Sequence, residues 1–293
     1  MGILAEYIRS LKAVEVEEFF DLIFYRPLGF LFVKLVQRTS ITPNQITILS
    51  AVAGVAGGVS IAAGTTSALL AAGFLLIVYD VLDCSDGQLA RLKQNGSRMG
   101  RILDGAADYL VSVAAYLGIG FGYADRAAAP VLIWVLTIAA GFSNAIQAGL
   151  LDFYRTRFLD YLLHRVSVLE DDLEAFRSEY HALEDQKGRL GEKIILWLYL
   201  QYSSIQRFAV TRADEHAQTA SVSSENYVRA NKTLMRFWTF LGPTTQVTLL
   251  ILACFFNVIG FYLWFIVVGG NLAALTLKLI QNRVDAKLNL NKS

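Results

Sequence analysis

The sequence predicts an all-α, polytopic membrane protein with six transmembrane helices, an N-terminal interfacial amphipathic helix and a cytoplasmic helical insertion. Of its 293 residues, 55% are hydrophobic and 17% are charged, whereas a soluble domain has about 25% charged residues. The mean hydropathy is +0.44. Several apolar stretches reach the ~20 residues that a helix needs to cross a bilayer. Backbone polar groups in lipid must be satisfied internally, so we expect these stretches to be helices.

Residues 1–40 are predicted to form the cytoplasmic, interfacial N-terminal segment. Within it, the apolar stretch 17–38 is interrupted by four residues that suit a membrane span poorly: Asp21, Arg26, Pro27 and Lys34. This pattern is typical of a helix that lies in the interface with its basic side chains toward the headgroups. A seventh, imperfect span is the alternative. Pro43 disfavours helix at the preceding residue and suits the first turn of the next helix, so we expect a turn at 39–44.

The six predicted spans are 44–64, 66–90, 101–122, 128–151, 234–257 and 259–281. Spans one to four fall within a predicted domain at 41–151, and spans five and six fall within 234–293, which ends in a polar tail. The polar segment 152–233 between them is predicted to be a cytoplasmic insertion of two or three helices. It would either be a solvated helical hairpin that packs on the site or supports a dimer, or cap the active site.

Charge asymmetry predicts the orientation. Arg and Lys are concentrated before the first span, between spans two and three, between spans four and five, and in the tail. The alternate connections carry almost no charged residues. Positive loops favour the cytoplasmic side. We therefore expect both termini to be cytoplasmic. The formal net charge of +1 gives no reason to expect a nucleic-acid partner.

Four carboxylates stand in one pattern at the ends of spans two and three: Asp83-x-x-Asp86-Gly87-x-x-Ala90-Arg91, eight residues, then Gly100-x-x-x-Asp104-x-x-x-Asp108. A charge at membrane depth costs roughly 3 kcal/mol, so such residues usually mark function. Spacings of three and four place side chains on one helix face. Two adjacent antiparallel helices can thus bring four carboxylates together, and Mg²⁺ or Mn²⁺, as two ions, would offset their repulsion.

This pattern resembles, at every defined position, the motif of the CDP-alcohol phosphotransferase (phosphatidyltransferase) family. The resemblance implies that a substituted phosphate passes from a CDP-alcohol to an acceptor hydroxyl, with release of CMP and formation of a phosphodiester in phospholipid or polar-headgroup biosynthesis. It assigns metal binding to the four aspartates and makes Asp108 the general base. It also implies that four residues line the nucleotide pocket: Gly87, Ala90, Arg91 and Gly100.

Other features of the sequence leave alternatives open. Asn44 and Thr47, at the start of the first span, would contact the nucleotide or cap the helix. Gly54-x-x-x-Gly58 would form a homodimer contact or allow close packing within one chain.

The donor is either CDP-diacylglycerol or a CDP-linked headgroup such as CDP-inositol, CDP-ethanolamine or CDP-choline. The stretch EEFFDLIFYRP resembles members that use CDP-inositol. Membrane lipids are the expected partners besides the donor and the alcohol acceptor. A divalent-cation transporter and an intramembrane prenyltransferase are the competing hypotheses.

Overall fold

The computed structural model describes residues 2–11, 13–96, 98–163, 178 and 223–290, and within these ranges the chain is helical with no strand. The predicted all-α class is thus confirmed. Ten α-helices are described: α1 (Ile3–Ser10), α2 (Arg26–Val36), α3 (Pro43–Ala63), α4 (Thr66–Lys93), α5 (Arg98–Tyr123), α6 (Pro130–Leu162), α7 (Ser224–Trp238), α8 (Pro243–Phe255), α9 (Ile259–Trp264) and α10 (Asn271–Leu290). Short 3₁₀ or π turns lie between several of them.

Within the described ranges, five helical stretches are long and apolar enough to cross a membrane, and a sixth is counted if a bent helix pair is one span. The five are α3, α4, α5, α6 and the continuous stretch Ile259–Leu288. The bent pair, Ser224–Leu241 with Pro243–Phe255, replaces the unbroken span that we expected at 234–257. Pro243 lacks a backbone N–H and begins a new helix, because proline fits the first turn far better than the interior.

The chain divides into two compact units. One comprises Met1–Asn144 with Pro243–Gly270, and the other comprises Ala145–Gly242 with Asn271–Ser293. The helices predicted for the insertion fall largely on residues 164–222, which, apart from residue 178, lie outside the described ranges. At its edges, α6 continues to Leu162 and α7 begins at Ser224.

Helices α3, α4 and α5 form the centre of the first unit, where glycines permit close approach of α3 and α5. A Cβ on Gly118 would lie 2.1 Å from the carbonyl oxygen of Gly58, and one on Gly58 would lie 2.5 Å from the backbone of Ala114. A Cβ on Gly54 would meet Val111 at 2.5 Å. The glycine pair at 54 and 58 therefore packs against α5 of the same chain. This is the alternative of close packing within one chain, rather than the homodimer contact.

The N-terminal segment packs on α4 of the same unit. A Cβ on Gly29 would lie 2.9 Å from Gln88 Oε1, so α2 approaches α4 closely at this position. The turn between α2 and α3 is fixed by Lys93, whose Nζ donates to the carbonyl oxygens of Thr39 (3.0 Å) and Ile41 (2.8 Å). These contacts connect the segment before α3 to the end of the helix that carries Asp83 and Asp86.

The second unit has a polar network within an aromatic core. Trp238 is fully buried, stacks on Tyr154 with ring centroids 4.4 Å apart, and donates from Nε1 to Gln281 Oε1 at 3.2 Å. The Arg157 guanidinium pairs with Asp285 at 3.0 Å. Arg157 thus has an acidic neighbour in its own unit.

Candidate metal and nucleotide site

Three carboxylates converge at the ends of α4 and α5. Asp83, Asp86 and Asp104 each offer one oxygen, and these oxygens lie within 4.8 Å of one another. The spacing of three places Asp83 and Asp86 on one face of α4, as expected from helical geometry. The structure therefore brings together three of the four predicted metal ligands.

Thr47 fixes the Asp86 carboxylate. Its hydroxyl donates a short hydrogen bond to Asp86 Oδ2 and also contacts the carbonyl oxygen of Pro43. Thr47 is 3% exposed, so its hydroxyl needs a partner, and it finds one in a metal-ligand candidate. The sequence predicted a nucleotide contact or a helix cap for Thr47, and it missed this positioning contact.

The start of α3 is capped by another threonine. The Thr42 side chain accepts from the backbone N–H of Gln45 (3.3 Å), and the Gln45 side chain accepts from the N–H of Thr42 (2.9 Å). This reciprocal capping box fixes the first turn of the helix. Asn44 lies in that turn and is half-buried, and its predicted nucleotide contact stays a prediction.

Asp108 lies outside the carboxylate trio and has its own positioning contact. The Tyr79 hydroxyl donates to Asp108 Oδ1 at 2.6 Å. Tyr79 precedes Asp83 by four residues on α4, so it shares a helix face with a carboxylate of the trio. A tyrosine one turn before the motif was the available sequence signal for this contact, and our sequence analysis did not use it.

The predicted nucleotide-pocket residues occupy the same ends of α4 and α5. A Cβ on Gly87 would lie 3.3–3.4 Å from the terminal guanidinium nitrogens of Arg91, so Arg91 extends along the glycine. Arg91 Nε also donates a short hydrogen bond to the carbonyl oxygen of Ser10. Ala90 and Gly100 are half-buried. Ser10 is therefore a further neighbour of the predicted phosphate-binding arginine, contributed by α1.

A second polar cluster, which we call the Arg26 cluster, lies between the N-terminal segment and α4, beside the motif. Its members are Glu17, Asp21, Arg26, Cys84 and Gln88. Arg26 Nη2 pairs with Glu17 Oε2 at 2.7 Å, Cys84 Sγ donates to Asp21 at 3.3 Å, and Gln88 Nε2 donates to the Arg26 carbonyl at 3.2 Å. Burial lowers the pKa of Arg26, but nearby Cys84, Glu17 and Asp21 raise it by more, so its pKa lies above the ordinary value.

The donor set of the trio fits a hard divalent cation. Carboxylate oxygens are the ligands that Mg²⁺ and Mn²⁺ prefer. Asp83 Oδ1 is buried and has no hydrogen-bond partner within the described part of the chain, which leaves it available for a metal. An uncompensated group of three carboxylates would repel itself. These residues therefore fit the metal that the motif implies.

Comparison with known proteins agrees with the position of this site. Residues 40–157 match the family model of the CDP-alcohol phosphatidyltransferases. A phosphatidylinositol phosphate synthase of Corynebacterium glutamicum is 32% identical over 83 residues, which cover 28% of this chain and 37% of that protein. A phosphatidylinositol phosphate synthase of Mycobacteroides abscessus is 23% identical over 128 residues, which cover 44% of this chain and 51% of that protein. The matches thus span about half or less of these relatives.

Proposed function

Since residues 40–157 match the family model of the CDP-alcohol phosphatidyltransferases, we propose that the chain transfers a substituted phosphate from a CDP-alcohol to an acceptor hydroxyl and releases CMP. The observation that carries the proposal is the convergence of Asp83, Asp86 and Asp104 within 4.8 Å inside the matched region. Both similar relatives are phosphatidylinositol phosphate synthases by name. This supports a phospholipid-type product with a polyol in its headgroup.

Asp83, Asp86 and Asp104 would hold the divalent ions, with Asp108 as a further ligand of the second ion. When bound, the metal would neutralise the diphosphate and stabilise the charge of the departing phosphate. Thr47 keeps Asp86 in place through its hydroxyl. Since buried positioning groups around metal ligands strongly affect metal affinity, Thr47 is part of this site.

Asp108 would accept the proton from the attacking hydroxyl. That oxygen forms a bond to the β-phosphorus of the CDP-alcohol, the bond from the same phosphorus to the CMP oxygen breaks, and CMP leaves with the electron pair. Tyr79, at 2.6 Å from Asp108 Oδ1, orients the carboxylate for this proton transfer. Positioning of the reacting groups supplies a large share of the rate in such displacements.

The nucleotide pocket would be lined by residues of three helices: Asn44, Gly87, Ala90, Arg91 and Gly100. A Cβ on Gly87 would lie 3.3–3.4 Å from the Arg91 guanidinium, so the missing side chain leaves room for Arg91 beside the helix backbone. Arginine suits phosphate because its planar fork donates two hydrogen bonds at once. The charge asymmetry of the connections supports placement of this site and both termini on the cytoplasmic side.

The test is CMP release by the purified protein with Mg²⁺. Candidate donors are CDP-diacylglycerol, CDP-inositol, CDP-ethanolamine and CDP-choline, each offered with lipid and soluble alcohols, and the product is identified by its mass. We expect CMP to appear in equal amount with a phosphodiester of donor and acceptor. Absence of CMP with every pair, from protein that binds Mg²⁺ and unfolds cooperatively, would contradict the proposal.

A further inference from the structure

The last residue of α1, Ser10, is bound by two side chains of α4. Arg91 Nε donates a short hydrogen bond to the Ser10 carbonyl oxygen, and Gln88 Nε2 donates to the Ser10 hydroxyl at 3.2 Å. The hydroxyl in turn donates to the carbonyl oxygen of Tyr7 at 2.6 Å. Ser10 is fully buried, although most of α1 is exposed. The end of this short helix is thus held on α4 through both the carbonyl and the hydroxyl of one residue.

The position of Ser10 in α1 makes its carbonyl a good acceptor for an arginine. The helix ends at Ser10, and Leu11 is extended, so the Ser10 carbonyl accepts no hydrogen bond within the helix. The C-terminus of a helix also carries a partial negative charge, which attracts a cation. The bond from Arg91 therefore pairs a free carbonyl of α1 and places the guanidinium at the negative end of the helix.

This bond fixes one edge of the Arg91 guanidinium and leaves its two terminal nitrogens beside Gly87. Arginine carries several N–H donors in a rigid planar fork, and the donor on Nε is directed at Ser10. Nη2 and Nη1 lie where a Cβ on Gly87 would be 3.3 and 3.4 Å from them. A pair of donors in one plane can hold two oxygens of a phosphate. With Nε bound to α1, the plane of that pair is set before a ligand arrives.

Helix α1 also has contacts with α2 that do not involve Arg91. Glu6 pairs with Lys34 at 2.8 Å, and the Tyr7 ring packs edge-on against the Phe30 ring with centroids 5.2 Å apart. Because α2 holds α1 by itself, α1 can serve as a fixed support for the Arg91 side chain. The opposite arrangement, in which Arg91 only anchors α1, is an outcome of the test below.

We propose that Ser10 is a positioning residue for nucleotide binding, and that its carbonyl holds Arg91 in the orientation that binds a phosphate of the CDP-alcohol. The proposal rests on the proposed function, since the contact has this role only if Arg91 binds the nucleotide. A free arginine side chain samples many rotamers, and fixing it before binding removes that entropic cost from the affinity. Ser10 lies before residue 40, where the family match begins, so the match does not include it.

The first experiment replaces Ser10 in the full-length protein. Ser10→Leu adds volume at a fully buried position and should displace the carbonyl from Arg91. We expect CMP to bind about threefold to tenfold more weakly, the range for losing one pre-ordered side chain, when CMP is titrated calorimetrically into protein with Mg²⁺. Ala5→Leu is the matched control, because it places the same side chain at an exposed position of α1 and should leave CMP affinity unchanged.

A double-mutant cycle separates positioning of Arg91 from general support of the fold. In the Arg91→Ala background, Ser10→Leu should cause no further loss of CMP affinity, because the side chain through which Ser10 acts is absent. In the wild-type background the donor KM should rise with the loss of CMP affinity, whereas kcat and Mg²⁺ affinity should stay within about twofold. Equal losses in both backgrounds, or parallel losses of kcat and Mg²⁺ affinity, would overturn the proposal. CMP affinity that Arg91→Ala leaves unchanged would show that Arg91 only anchors α1.

A smaller substitution decides the question if Ser10→Leu does not fold. Ser10→Ala removes the hydroxyl that Gln88 and Tyr7 bind but keeps the backbone, and it should weaken CMP binding about twofold or more through the lost hydrogen bond. Ser10→Thr, which retains the hydroxyl, should restore the affinity. Wild-type CMP affinity in Ser10→Ala would reject the positioning role.

Failure of this proposal and failure of the proposed function give different results. A wild-type protein that neither binds CMP nor releases it from any CDP-alcohol would reject the phosphotransferase, and the positioning role with it. CMP release by the wild type, with CMP affinity that no substitution of Ser10 changes, would reject the positioning role and retain the phosphotransferase.

Discussion

Two polar clusters that α4 shares with its neighbours differ in how their charges are balanced. The carboxylate trio has three groups of one sign whose oxygens lie within 4.8 Å of one another. The Arg26 cluster contains both signs and an ion pair at 2.7 Å between Arg26 and Glu17. The trio needs a cation to be stable in its charged form, whereas in the Arg26 cluster a buried guanidinium already offsets part of the acidic charge. The comparison shows that the uncompensated charge of a buried polar region indicates which kind of ligand it needs.

Removal of divalent cations should have the largest effect. With EDTA we expect CMP release to stop and to return with Mg²⁺ or Mn²⁺, because the trio depends on metal. Calorimetric titration of Mg²⁺ into protein from which divalent cations have been removed measures metal binding to the trio directly. Activity that persists in excess chelator would contradict the metal assignment.

Asp108→Asn should lower kcat by roughly 10²–10⁴, the usual contribution of a general base. The amide oxygen can still accept from Tyr79, so the fold and its unfolding midpoint should be retained. The measurement is single-turnover CMP release at saturating donor. A wild-type rate in this variant would remove Asp108 as the base.

Tyr79→Phe and Thr47→Val test the two positioning hydroxyls. Hydrogen bonds to charged groups contribute about 1.5–3 kcal/mol. Tyr79→Phe should therefore reduce kcat about tenfold to a hundredfold, and it should weaken Mg²⁺ binding less than Thr47→Val, because Asp108 lies outside the carboxylate trio. Thr47→Val should instead weaken Mg²⁺ binding, by roughly 10–100-fold as is typical when a positioning partner of a metal ligand is lost. Thr47→Ser, which keeps the hydroxyl, is the matched control. If Thr47→Val lowered only kcat and Tyr79→Phe mainly weakened Mg²⁺ binding, the roles assigned to the two hydroxyls would be wrong.

Gly118→Ala should have the smallest effect on chemistry and act on stability. Its Cβ would lie 2.1 Å from the Gly58 carbonyl oxygen, and overpacking of this kind costs about 1–3 kcal/mol. Gly105→Ala on the same helix is the control, because nothing lies within 4 Å of its Cβ and alanine favours helix by about 1 kcal/mol. Urea unfolding in detergent should show a loss for the first and no loss for the second.

The helices and the acidic site were predictable because their signals are local. Long apolar runs set the positions of α3, α4 and α5, and helical spacing placed Asp83 beside Asp86. The break at Pro243 was missed because the hydropathy of residues 234–257 outweighed a single proline. The contacts of Ser10, Arg26 and Tyr79 depend on how α1, α2 and α5 pack against α4. No local sequence pattern predicts such packing, so the contacts of these residues could be identified only from the structure.

The backbone contact of α3 with α5 has a consequence for the chemistry. Gly118 and Gly58 touch, whereas Gly105, nearer to Asp104, has open space beside it. From Gly118 to Asp104 the helix runs about 21 Å at 1.5 Å per residue, so a slight rotation at the contact becomes a larger displacement of the acidic end. A substitution at this glycine contact therefore shifts Asp104 relative to Asp83 and Asp86 without altering any carboxylate of the trio.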